Sequence, residues 1–140
     1  MTLAVTTHLN FRGQARAALD FYKQVFGGEQ TLMTYAAMGQ PELGGLPDHI
    51  IWGQVVADDG FRIMAFDVRA GQNYDAGANA FYVSLRGSSA AEIEQRWAAL
   101  VEGAMILQPI GPSAWAPLYG MLIDRFGVTW VVDVDPRARN

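Results

Sequence analysis

One succession of hydrophobic periods occurs twice in this chain, and that recurrence limits the possible folds more than any single motif does. Val5 to Phe11 alternates apolar with polar residues, the period of a half-buried strand. Arg12-Gly13 breaks the alternation. From Gln14 the period turns helical, with Ala15, Ala18, Leu19, Tyr22 and Phe26 on one stripe, until Gly27-Gly28 ends it. A strand is predicted at about Gln30 to Tyr35. Met38 to Asp48 then reads as a surface loop, because three glycines and two prolines interrupt it. Ile50 to Val56 and Phe61 to Val68 read as two strands joined by Asp58-Asp59-Gly60, a hairpin signal. Arg69 to Asn79 is polar and glycine-rich, as a linker would be.

The same order then returns. Ala80 to Leu85 alternates, with Phe81, Val83 and Leu85 on one face, and Arg86-Gly87 breaks it as Arg12-Gly13 did. Ser88 or Ser89 can cap a helix running to about Glu102, where Gly103 stops it. Strand-like pieces follow at Met105 to Gln108, Trp115 to Ile123 and Val128 to Val134. The expected fold is therefore α+β, two βαβββ modules forming a β-cup, repeated at a period of roughly 74 residues. A single domain over residues 1–140 is expected, with half one at about 1–69 and half two at about 79–135. A ferredoxin-like sandwich is the alternative, since it also combines helices with antiparallel strands.

Composition narrows the function. The 140 residues are about half apolar and include no cysteine, so a packed core is attainable and thiolate chemistry is excluded. Ten basic against 14 acidic residues leave a net charge of −4 without a basic run, which argues against nucleic acid. Neither a signal-peptide pattern nor a membrane-length apolar stretch is present, so a cytoplasmic protein without a membrane partner is expected. Ser84, Ser88, Ser89 and Ser113 lack a nucleophile-elbow setting. Asp67 and Asp133, each closing a strand, read as turn or edge residues.

The segment Leu9-Asn-Phe-Arg-Gly-Gln-Ala-Arg-Ala-Ala-Leu-Asp-Phe-Tyr-Lys-Gln-Val-Phe-Gly-Gly28 resembles the opening of PhnB-like proteins. These belong to the vicinal oxygen chelate superfamily, with glyoxalase I, bleomycin-resistance proteins and extradiol dioxygenases. Trp115-Ala-Pro-Leu-Tyr-Gly-Met-Leu-Ile-Asp-Arg-Phe-Gly-Val-Thr-Trp130 resembles the closing motif of the same family, and Ile63-Met-Ala-Phe-Asp67 its end-of-first-half motif. The resemblance implies the glyoxalase/bleomycin-resistance-like fold, a divalent metal in many members, and a homodimer. Many such proteins carry the name 3-demethylubiquinone methyltransferase. No glycine-rich strand-to-helix turn for a nucleotide-like methyl donor supports that activity here.

In metal-using relatives, a His, Gln or Glu from the first and last strand of each half holds the ion. Such donors suit a metal that must grip substrate oxygens and keep open positions. Carried over, the first position falls on Thr7 or His8, with alternation favouring His8. The others fall on Met64, on Ala80 or Tyr82, and on Val131. His8 is the one metal candidate, and no cofactor is expected. His49, at a loop end, is a doubtful substitute.

The inward faces are expected to carry His8, Asn10, Tyr35, Trp52, Gln54, Met64, Phe66 and Tyr82, with Trp115, Tyr119 and Met121 beside them. Apolar and aromatic walls with a few polar tips suit a small-molecule ligand, and the loop Met38 to Asp48 could close over it. Trp97 and Trp130 read as core. Two functions follow. The first is metal-free binding that sequesters or senses a small organic molecule, as bleomycin-resistance relatives do. The second is a metal-dependent lyase, isomerase or dioxygenase using His8 with Gln54 or Tyr82.

Overall fold

The structure, a computed structural model, describes residues 2–137. The alternating and helical periods become β1 (Thr7–Phe11), α1 (Ala15–Phe26), β2 (Glu29–Thr34), β3 (Ile50–Val56) and β4 (Arg62–Asp67). The second set is β5 (Val83–Gly87), α2 (Ala90–Leu100), β6 (Met105–Gly111), β7 (Tyr119–Ile123) and β8 (Thr129–Val134). The described residues fall into two compact units divided between Ala76 and Gly77. Each is one βαβββ module, and the fold is α+β as expected. Among the described residues no helix is long and apolar enough to cross a membrane.

Both modules form a four-stranded sheet of the same order, β1-β4-β3-β2 and β5-β8-β7-β6. The first strand of each lies parallel to the last, and the remaining pairs are antiparallel. Each helix covers one sheet face. Under α1 lie Phe11, Val55, Ile63 and Ala65, and under α2 lie Leu122, Trp130 and Val132, all buried. The two helices approach their sheets at matching points. A Cβ on Gly53 would stand 2.5 Å from a methyl of Leu19, and one on Gly120 would stand 3.0 Å from the Trp97 ring. Gly53 pairs with Ala65 and Gly120 with Val132, so both glycines hold the same place in the repeat. Their function is to let the helix come close.

Register also corrects the repeat. His8 pairs with Met64 and Ser84 with Val131, so His8 corresponds to Ser84 and Asn10 to Arg86. The two Arg-Gly pairs are therefore not equivalent. Gly13 takes a positive φ of 93° in the β1–α1 turn, whereas Arg86 and Gly87 lie inside β5. The strand expected at Ala80 begins at Val83. Asn79 takes φ 60° and accepts a hydrogen bond from the Tyr82 hydroxyl at 2.9 Å, which places Tyr82 before the strand. At the N-terminus, Val5 is fully exposed and β1 begins at Thr7.

Asp67 is neither a turn nor an edge residue. Its carboxylate is buried at 1% exposure and accepts three backbone N–H groups: Gly13 at 2.7 Å, Ala15 at 3.1 Å and Ile50 at 2.8 Å. The residue at the start of α1, Gln14, offers no side-chain cap. Asp67 supplies that cap from the end of β4, placing a negative charge where unpaired helix N–H groups point. In contrast α2 is capped locally, with Ser89 Oγ accepting Glu92 N–H at 3.3 Å. Replacing Asp67 with Ala strands several buried donors at once. Asp67→Ala is expected to lose about 3–5 kcal/mol of stability, read as a fall in the urea midpoint.

Candidate functional site

Pairing places alternate residues of neighbouring strands on one sheet face. In the first module, the face away from α1 carries a row across the sheet: His8, Met64, Gln54 and Thr31. Asn10 and Phe66 are paired beside it, and Trp52 pairs with Met33. Six of the expected residues thus share this face: His8, Asn10, Trp52, Gln54, Met64 and Phe66. Five of them make contacts within this face. The His8 ring stands edge-on to Phe66 with centroids 4.9 Å apart. His8 Nδ1 lies 3.1 Å from Asn10 Oδ1. Asn10 Oδ1 can only accept, so Nδ1 is the donor of this contact. The Trp52 indole N–H donates to the Met64 sulfur at 3.4 Å.

Tyr35 lies in the core instead. It is 1% exposed, and its hydroxyl donates to the Asp67 carbonyl at 2.6 Å. The residue follows β2, where the pairing with β3 shifts between Met33 and Thr34, so plain alternation misplaces it. Burial pushes the hydroxyl above its ordinary pKa; Arg69 opposes the shift and Asp67 adds to it. The expected flap packs back on the same ring. A Cβ on Gly44 would stand 2.5 Å from it, and Gln40 N–H donates to the Tyr35 carbonyl at 2.8 Å. His49 belongs to this loop, its Nδ1 accepting Leu46 N–H at 3.3 Å. The expected linker is anchored as well: Arg12 donates to the Gln72 carbonyl, and the Tyr74 hydroxyl donates to the Asn10 carbonyl at 3.1 Å.

In the second module, the face away from α2 carries Ser84 and Arg86 of β5, Val131 and Asp133 of β8, and Tyr119 and Met121 of β7. Arg86 and Asp133 form a two-point ion pair, Nε to Oδ1 at 3.1 Å and Nη2 to Oδ2 at 2.8 Å. The hydrogen bond to Asp133, and then its charge, raise the Arg86 pKa further above its ordinary value. Trp115, in the loop before β7, stands edge-on to Tyr119 with centroids 5.0 Å apart. Tyr82 is exposed and bonded to Asn79. Sequence reasoning took Arg86 for a strand breaker and Asp133 for an edge residue. The period of two continuing from Ser84 to Arg86 was the available signal.

The four positions at which metal-using relatives place ligands can now be read by register as His8, Met64, Ser84 and Val131. Ser84 replaces the expected Ala80 or Tyr82. An imidazole and a thioether already receiving an indole N–H in the first module, and a hydroxyl and a valine in the second, give neither module a donor set suited to a hard divalent ion. Among the described residues no three His, Cys, Asp or Glu side chains are grouped to hold a metal. A cavity of about 600 Å³ opens elsewhere, between Phe26, Glu29, Val56 and Asp58, and none of the expected site residues lines it.

The closing motif has a structural explanation. Asp124 is buried and its Oδ1 accepts Phe126 N–H at 2.8 Å and Val128 N–H at 3.1 Å, while Oδ2 accepts the Trp130 indole N–H at 2.9 Å. The Asp, the Phe-Gly turn and the Trp thus form one hydrogen-bonded β7–β8 connection.

A family model described as 3-demethylubiquinone-9 3-methyltransferase matches residues 3–133. No curated protein matches the chain. Among solved structures, protein PA1353 from Pseudomonas aeruginosa is 33% identical, with a TM-score of 0.83 over 96% of this chain and 98% of that one. The PhnB protein from Bacillus cereus, which carries the same methyltransferase name, is 23% identical with a TM-score of 0.73, covering 94% and 99%. A glyoxylase/bleomycin resistance protein/dioxygenase domain from Frankia is 13% identical with a TM-score of 0.66, covering 96% and 98%. The last two show likeness of fold.

Tyr35 yields a pH prediction. Its folded pKa is raised, so its contribution to stability is fully present below the unfolded value of 10.0 and is lost as pH rises through the folded value. Tyr35→Phe is expected to cost about 0.5–1.5 kcal/mol at neutral pH. That difference from wild type shrinks above pH ~10 in urea titrations, because the variant has no phenol to ionise there.

Proposed function

Since the chain belongs to the PhnB-like, 3-demethylubiquinone-9 3-methyltransferase family of the vicinal oxygen chelate superfamily, we propose that it binds a small organic molecule without a chelated metal. The observation that carries this reading is the first module's face: His8, Asn10 and Gln54 supply polar tips among Trp52, Met64 and Phe66. An aromatic surface with few, oriented polar groups suits an organic ligand. The His8 ring offers its Nε2 to such a ligand, and the Gln54 carboxamide both donates and accepts. The donor set at the ligand positions supports the metal-free half of the reading. At the start of α1 a carboxylate from this chain, Asp67, already accepts the Ala15 N–H and the Gly13 N–H of the preceding turn, which disfavours a bound anion there.

The discriminating measurement is elemental analysis of untagged protein together with thermal shift. The expected result is no stoichiometric Zn, Ni, Mn or Fe, and no rise in Tm on adding them. An organic ligand panel, by contrast, gives hits whose stabilisation approaches about 2.7 kcal/mol at 100 times Kd and falls in Trp52→Ala. Stoichiometric metal lost in His8→Ala would replace this reading with the metal-dependent one.

We also propose a homodimer, on one observation. β6 is an edge strand whose Met105, Ile106 and Leu107 are all exposed, and an apolar edge of this kind is suited to cover by a second copy. Light scattering is expected to give twice the chain mass for wild type, and a single chain mass for the Met105→Glu, Leu107→Glu double variant.

A further inference from the structure

A guanidinium has five N–H donors arranged along two usable edges. Arg86 spends its side edge, Nε and Nη2, on Asp133. Its end edge, formed by Nη1 and the second hydrogen of Nη2, has no acceptor among the described residues. Asp133 is 5% exposed in its side chain, whereas Arg86 is 49% exposed. The ion pair therefore sinks the carboxylate and holds the guanidinium above it with a two-pronged donor still available. The next residue along the same row is Tyr119, paired with Asp133 from the other side, and Trp115 rests against Tyr119. Trp115 is 59% exposed. Guanidinium, sunken carboxylate and two aromatic rings thus follow one another across the sheet.

We propose that this face of the second module is a subsite for a planar aromatic carboxylate, its carboxylate bound by the end edge of Arg86 and its ring packed against Trp115 and Tyr119. This goes beyond the small-molecule reading of the first module's face by assigning a ligand class to the face of the second module. The spacing agrees: Arg86 and Tyr119 are separated by two strand intervals, about 9–10 Å between Cα atoms, and the guanidinium leans over the middle strand. Two parallel N–H···O bonds match the geometry of a carboxylate, which a neutral amide cannot reproduce. Asp135 also acts on Arg86 through its charge, so selectivity arises from the geometry of the fork and not from an excess of positive charge, the chain carrying a net charge of −4.

Titration calorimetry on the full chain tests this with 2-naphthoate and indole-3-acetate, each compared with its primary amide. Wild type is expected to bind the acids about tenfold more tightly than the amides. Arg86→Lys retains the charge beside Asp133 and lacks the fork. It is expected to weaken the acids about fivefold and leave the amides unchanged. Trp115→Ala, at an exposed loop position, weakens acid and amide by similar factors. Equal affinity of acid and amide, or an acid preference unchanged in Arg86→Lys, overturns the subsite while the small-molecule reading stands on its own panel. Failure of all four probes to bind also overturns the subsite.

Discussion

In the first module much of the arrangement depends on one buried carboxylate. Asp67 ends β4 and reaches the β1–α1 turn, the first turn of α1 and the first residue of β3, while its carbonyl takes the Tyr35 hydroxyl. A charge with so little water around it is tolerable only when several donors surround it, and here the backbone of three separate elements provides them. The consequence for the site is direct. Binding the β1–α1 turn to the end of β4 holds the parallel β1–β4 pair in register, and that register puts His8 beside Met64 and Asn10 beside Phe66.

The second module achieves the same topology by different means. Val134 occupies the position equivalent to Asp67, and Ser89 caps its helix from within the local sequence. Asp124 performs the buried anchoring instead, at the other end of the sheet, by binding the β7–β8 turn and Trp130. The glycines under the two helices, Gly53 and Gly120, are common to both modules because the close helix–sheet approach is common to both. The faces away from the helices have diverged. One presents an imidazole among aromatic and thioether groups, and the other an oriented guanidinium beside two aromatic rings.

Alternation and helical period made the order of elements legible, along with the placement of His8, Asn10, Trp52, Gln54, Met64 and Phe66 on a single sheet face. Periods are local quantities, and a face is defined by the parity of a strand. Tyr35 was misplaced because the β2–β3 register shifts just before it. Arg86 was misread because arginine-glycine resembled the earlier break, although the parallel pairing to β8 carries β5 through both residues. Asp67 and Asp133 read as turn or edge residues because their partners, the α1 N-terminus and Arg86, lie far away in sequence.

The sequence by itself determined a twofold βαβββ plan, the family to which its opening and closing motifs belong, and the residue types available to a site. Only the tertiary structure decided the correspondence between the halves, equating His8 with Ser84 and Asn10 with Arg86. It also decided which carboxylates are buried anchors, and that one arginine is held with donors to spare. The reason is physical: composition and period record what each segment can form alone, whereas strand register and the burial of a charge depend on segments tens of residues apart meeting in space.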